Sequence, residues 1–169
     1  MKIYLAILFI IGSGILSVAA QEGAWRKMSD EELKQAVPER APVLQENIET
    51  ELRTASGIVD GKKKIFGVVI ITAGYEADGK YTHFFQTEKK MTVGALELKP
   101  GAYIFGYQRL DSETLRVTFY RAQDGELVGA LKAKVERKKG PIHSFLIAPP
   151  VDNKGQIYIG RFTFDYDLS

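Results

Sequence analysis

The sequence predicts an all-β fold, an antiparallel β-sandwich of about eight strands preceded by a short helical segment. Three observations carry this. From Ser56 onward the pattern has period two: Leu127, Gly129, Leu131, Ala133 and Val135 alternate with Val128, Ala130, Lys132, Lys134 and Glu136. Val68-Val69-Ile70-Ile71 is a continuous β-branched run, as expected of a central strand covered on both faces. Turn signals at Asp60-Gly61, Asp78-Gly79, Pro100-Gly101, Asp124-Gly125 and Asn153-Lys154-Gly155 punctuate a region of successive short strand patterns, which suits a sandwich or barrel and not strand–helix–strand units. A closed lipocalin-like barrel is the second architecture the pattern allows.

The elements follow in chain order. Met1-Lys2 gives a positive start, Ile3 to Val18 is almost wholly apolar, and Val18-Ala19-Ala20 supplies small residues before the polar Gln21. Residues 1–20 therefore read as a secretory signal cleaved between Ala20 and Gln21. The run is too short to span a bilayer core of about 30 Å comfortably. Export to the periplasm or the extracellular space is expected, with no transmembrane segment in the mature chain. The sequence holds no cysteine. An exported chain of this kind is held by packing without disulfides, and it lacks thiol catalysis and thiolate metal sites.

Residues 21–54 read as a helical lead-in. Ser29 followed by Glu32 fits a capping box, and Asp30 and Glu31 suit the positive end of a helix dipole. Pro38 and Pro42 interrupt the chain, after which Leu44, Ile48 and Leu52 recur at i+4 and predict a second helical stripe. Residues 55–169 make the β domain, with strands expected near 64–73, 80–87, 91–98, 102–109, 115–122, 126–136, 142–148 and 156–166.

Within that domain, Leu96-Glu-Leu98-Lys-Pro-Gly-Ala-Tyr103 reads as strand, turn, strand. The phrase resembles one hairpin of the transthyretin-like and carboxypeptidase-regulatory-like β-sandwich domains. That resemblance implies a sandwich and no activity. Gly23-Ala24-Trp25 matches the G-x-W of lipocalins but precedes a helical segment instead of entering a first strand. Beyond the Pro-Gly turn, Tyr103, Phe105 and Tyr107 share one strand face and are expected to fill the core, while Gly106 on the other face invites a close backbone approach. Tyr158, Phe162, Phe164 and Tyr166 repeat the pattern at the chain's end.

Candidate chemistry is sparse. His83 and His143 are the only histidines and lack metal-ligand spacing to one another; no G-x-S-x-G surrounds Ser112 or Ser144. No cofactor or metal is implied. The expected function is a non-catalytic binding or envelope-interaction module. A small hydrophobic-ligand carrier is the alternative and an unrecognised hydrolase the third reading, since a carboxylate pair needs no local motif. As a ligand site, Tyr81, His83, Tyr103 and Tyr107 are the candidates. The 23 Lys and Arg against 21 Asp and Glu give a formal net charge of +2, which argues against a general nucleic-acid binder. With eight alternating strands, Lys62, Lys63, Lys64, Lys89, Lys90, Arg137, Lys138 and Lys139 gather at one end of the strands. That basic pole would suit an anionic envelope component or an acidic protein.

Overall fold

The computed structural model describes residues 24–168. The expected signal segment, its cleavage point at Ala20 and Gln21, and Gly23 lie outside the described residues. In chain order the elements are β1 (Arg26–Lys27), α1 (Asp30–Ala36), β2 (Arg40–Val43), β3 (Glu46–Glu49), a 3-10 turn (Leu52–Thr54), β4 (Ser56–Asp60), β5 (Lys63–Val69) and β6 (His83–Thr87). They continue with β7 (Met91–Val93), β8 (Leu96–Leu98), β9 (Gly101–Arg109), β10 (Thr114–Arg121), β11 (Leu127–Val135), β12 (His143–Ile147), β13 (Lys154–Gly160) and β14 (Phe162–Asp167). The antiparallel all-β expectation holds.

The strand count is larger than expected for two local reasons. Residues 91–98 are not one strand but the hairpin β7–β8, because Gly94 adopts φ 55° and turns the chain. Residues 156–166 split likewise at Gly160, where φ is 59°. Tyr158 therefore leaves the phase of Phe162, Phe164 and Tyr166; it pairs with Thr163 on the opposite face.

Twelve strands form one sheet, with the path β1-β4-β5-β6-β9-β10-β11-β14-β13-β12 and β7–β8 attached through β14. No closed barrel forms among the described residues. The sheet instead folds over so that β12 lies against β4 and β5. The seam is made by packing and by one side chain. Ile147 N–H donates to Ser56 Oγ at 2.9 Å, and the Phe145 ring occupies the space a Cβ at Gly67 would need. One continuous ladder thus supplies both layers of the sandwich. Its interior is aromatic, built from Phe85, Phe105, Phe119, Phe145, Phe162 and Phe164 with aliphatic neighbours.

The sheet's outer face carries a second core. Val59, Phe66, Val68, Phe84 and Ile104 point outward and are covered by Leu33 and Val37 at α1 and by Ala41, Val43 and Ile48 of β2–β3. Helix α1 is started by the expected capping box: Glu32 N–H donates to Ser29 Oγ at 3.2 Å, and Ser29 N–H to the Glu32 carboxylate at 2.8 Å. Hydrogen bonds from Arg26 hold that carboxyl down at about 2.

The second helical stripe does not exist; residues 40–49 are the hairpin β2–β3, with Leu44 turning at φ 58°. A spacing of four satisfies a strand's period as well as a helix's, and Pro42, which sits on β2 opposite Asn47, is tolerated there because both strands of a two-stranded sheet are edges. Ile48 is buried as the stripe required, whereas Leu52 is exposed.

Registers fix which loops share an end. Call the end where β5 finishes and β6 begins the upper one. Val69 pairs with His83, His83 with Phe105, and Leu115 with Arg109, so the loops at 110–113, 136–142 and 160–161 are also upper. Asp60–Lys63, Lys89 and Lys90, Pro100-Gly101 and Asp124 are lower.

Candidate functional site

The expected basic pole is not assembled. Lys62, Lys63, Lys64, Lys89 and Lys90 lie at the lower end, and Arg137, Lys138 and Lys139 at the upper. The hairpin β7–β8 is the cause, since it inserts one reversal more than a single strand over 91–98. Several of these cations are also engaged. Lys90 pairs with Glu97 at 2.9 Å, Arg137 pairs with Glu113 at 2.8 Å, and the Lys89 ammonium stands 5.9 Å from the centre of the Trp25 ring.

The four ligand candidates separate in the same way. Tyr103 is at the lower end, where its hydroxyl donates to the Lys99 carbonyl at 2.7 Å. Tyr81 belongs to the outer core, edge-on to Tyr120 with ring centres 5.2 Å apart. His83 and Tyr107 come together at the upper end, and the expectation that Tyr107 is buried fails: it is 45% exposed, while Tyr103 and Phe105 are 7% and 0%.

His83 and Tyr107 line an open cleft of about 640 Å³ between the upper ends of β5, β6, β9 and β10 and the segments 142–144 and 159–162. Its walls are largely apolar, with Val69, Ile70, Leu115, Ile142, Ile159 and Phe162. Arg109, Arg161, Ser144 and three threonines add polar groups. A second cleft, lined by the 135–143 loop and exposed His143, adjoins it through Ile142, Gly160 and Arg161.

His83 is the chemically distinctive member. It is the first residue of β6 and points inward, stacked on Phe105 with ring centres 4.6 Å apart and planes 7° apart. Only 2% of it is exposed, and burial pushes its pKa down from 6.5 to about 3, so the ring is neutral at physiological pH. Its Nδ1 lies 2.8 Å from Thr82 Oγ1, whereas Nε2 is buried with no hydrogen-bond partner. An orphaned buried polar atom costs about 1–3 kcal/mol and calls for an explanation.

Arg109 and Arg161 stand at the mouth, both exposed. Arg109 reaches across it: its guanidinium carbon lies 5.1 Å from the centre of the Phe162 ring, next in sequence to Arg161. Neither arginine has an ion-pair partner among the described residues. The acidic groups of the upper loops are otherwise engaged. Glu113 holds Arg137, Asp111 accepts from Glu113 N–H, and Glu136 accepts from Lys138 N–H.

Arg109 carries one signal legible beforehand, since it continues the inward phase of Tyr103, Phe105 and Tyr107. Arg161 carries none, because the turn at Gly160 redirects it. Among the described residues no group of three or more His, Asp or Glu is placed to hold a metal. No helix among the described residues is long and apolar enough to cross a membrane. Comparison with protein-family models, with curated proteins and with solved structures finds no match.

Proposed function

We propose that this chain is an exported, non-catalytic binding module whose working site is the upper cleft. The observation that carries the reading is a largely apolar cleft, large enough for a small organic molecule, lined by His83, whose Nε2 is buried without a partner. A neutral imidazole whose conjugate acid forms only near pH 3 is a poor general base at neutral pH, which favours binding over acid–base chemistry. Export rests on the apolar run that ends at Val18-Ala19-Ala20.

Titration with 1-anilinonaphthalene-8-sulfonate, an anionic fluorophore that brightens in apolar surroundings, tests the site. Ser144 is exposed and lines the cleft, so Ser144→Trp should fill the space without unfolding the protein. The wild type should show saturable fluorescence at one site, lost in Ser144→Trp at an unchanged melting temperature. Equal enhancement in both proteins would defeat the reading. N-terminal sequencing of the exported protein should return Gln21; a start at Met1 would defeat the export proposal.

A further inference from the structure

We infer that the upper cleft selects a small amphipathic anion: an aliphatic chain with a carboxylate held by Arg109 and Arg161 and, at its far end, a hydroxyl directed at the unpartnered ring nitrogen of His83. The inference rests on the cleft being the binding site, and adds to it the class of ligand.

Thr82 engages one ring nitrogen of His83 and leaves the other over. Its hydroxyl has one proton and two neighbours, the Phe105 carbonyl at 3.3 Å and His83 Nδ1 at 2.8 Å. The carbonyl also accepts Thr82 N–H at 2.9 Å and has a second lone pair, so Thr82 serves either neutral tautomer: it donates to Nδ1, or it accepts from Nδ1–H and gives its own proton to the carbonyl. Either way Nδ1 is satisfied and Nε2 is left without a partner. A hydroxyl, which both donates and accepts, matches Nε2 in either tautomer.

The charged end is set by the mouth. The Arg109 guanidinium lies over the Phe162 ring and Arg161 lines the same cleft, neither with a carboxylate partner among the described residues, and a guanidinium matches a carboxylate in geometry as well as charge. The backbone spacing of the two residues that carry the polar groups comes from the ladder. His83 is level with Phe105, and Arg109 lies four residues further along β9, roughly 13 Å at the rise of a strand. Apolar side chains of Leu115, Ile159 and Phe162 line the same cleft. The site thus presents an unpartnered ring nitrogen within, an apolar stretch, and cations at the rim.

Three probes separate these terms: 8-hydroxyoctanoate, octanoate, which lacks the terminal oxygen, and 1,8-octanediol, which lacks the charge. Affinities are read by calorimetry and occupancy by the His83 imidazole resonances. 8-Hydroxyoctanoate should bind one site, shift the His83 signals, and exceed each of the other two by about tenfold or more, the scale of one good polar contact. In Arg109→Gln/Arg161→Gln, which alters only exposed side chains, the advantage over the diol should vanish while the diol's own affinity stays the same. Equal binding of 8-hydroxyoctanoate and diol to the wild type, or an advantage that survives the double substitution, would overturn the anion inference and leave the cleft reading standing. Equal binding of 8-hydroxyoctanoate and octanoate would overturn the role given to Nε2. Binding of the diol with no movement of the His83 signals would overturn the cleft reading itself.

Discussion

The two ends of the strands are finished differently, and β9 records the difference along one face. At the lower end the interior is closed. Tyr103 caps the Lys99 carbonyl, Tyr166 donates to the Ala148 carbonyl at 2.5 Å, and Met91, Val93 and Leu98 of the β7–β8 hairpin are buried in the inner core. Two residues up β9, Phe105 is wholly enclosed; two more, and Tyr107 stands half in solvent beside an imidazole with an unused nitrogen. The lesson is that one run of inward aromatics can serve packing at one end and present a surface at the other. The sheet's curl, not the residue type, decides which.

The sharpest test compares neighbours on that strand. Phe105→Ala should cost about 3–5 kcal/mol in urea or guanidinium unfolding, as expected for emptying a filled core site. Tyr107→Ala should cost less than about 1 kcal/mol, as at a partly exposed position. Comparable losses at both would erase the distinction between closed and open ends.

The second test uses protons. A histidine with a depressed pKa stays neutral in the folded state while the unfolded chain takes up a proton below pH 6.5. The unfolded state then binds more protons, so stability contributed by His83 is intact above 6.5 and is lost as pH falls toward about 3. The slope is about 1.4 kcal/mol per pH unit across that window. Unfolding curves at stepped pH should show it, with the His83 carbon resonances unchanged between pH 8 and 5. A His83 midpoint near 6.5 would mean that water reaches the ring freely and that the upper end is open to its floor.

A smaller effect is expected on the outer face. A Cβ at Gly106 would run into the Lys80 carbonyl oxygen, part of the loop that folds over β9. Gly106→Ala should displace that loop and cost about 1–3 kcal/mol by the same unfolding assay. The smallest change belongs to the rim: Ile142→Ala, at a side chain 58% exposed, should move stability by no more than about 0.5 kcal/mol.

Much of the fold was legible because period-two burial leaves a direct trace. The inward phases of β9 and β14, the capping box at Ser29, and the close approach at Gly106 are all where the sequence places them. What misled was punctuation carried by weak signals. Gly94 and Gly160 reverse the chain without a proline or an aspartate beside them, and each reversal was absorbed into a longer strand. The first of these slips redistributed the lysines between two ends. The i+4 stripe over 44–52 failed because four is a multiple of two. The site was legible in His83 and Tyr107, and in Arg109 only through its phase on β9. Arg109 meets Phe162 across three strand-to-strand steps of the ladder, a convergence produced by the folding-over of the sheet and encoded in no local spacing.

The seam at Ser56 and Ile147 has a consequence in time. Its partners are 91 residues apart in sequence, and β4 belongs to the first strands of the sheet while β12 arrives after β11. The chain must give up the freedom of that long loop before the contact returns anything, the situation that places β-rich topologies among millisecond-to-second folders. A polypeptide emerging from its N-terminus therefore carries β4 and β5 with the Gly67 surface bare until Phe145 has been made and can cover it. During that interval the two strands present an unpaired, apolar face to whatever else is nearby, and the speed with which β12 closes over them sets how long the nascent protein is open to misassociation.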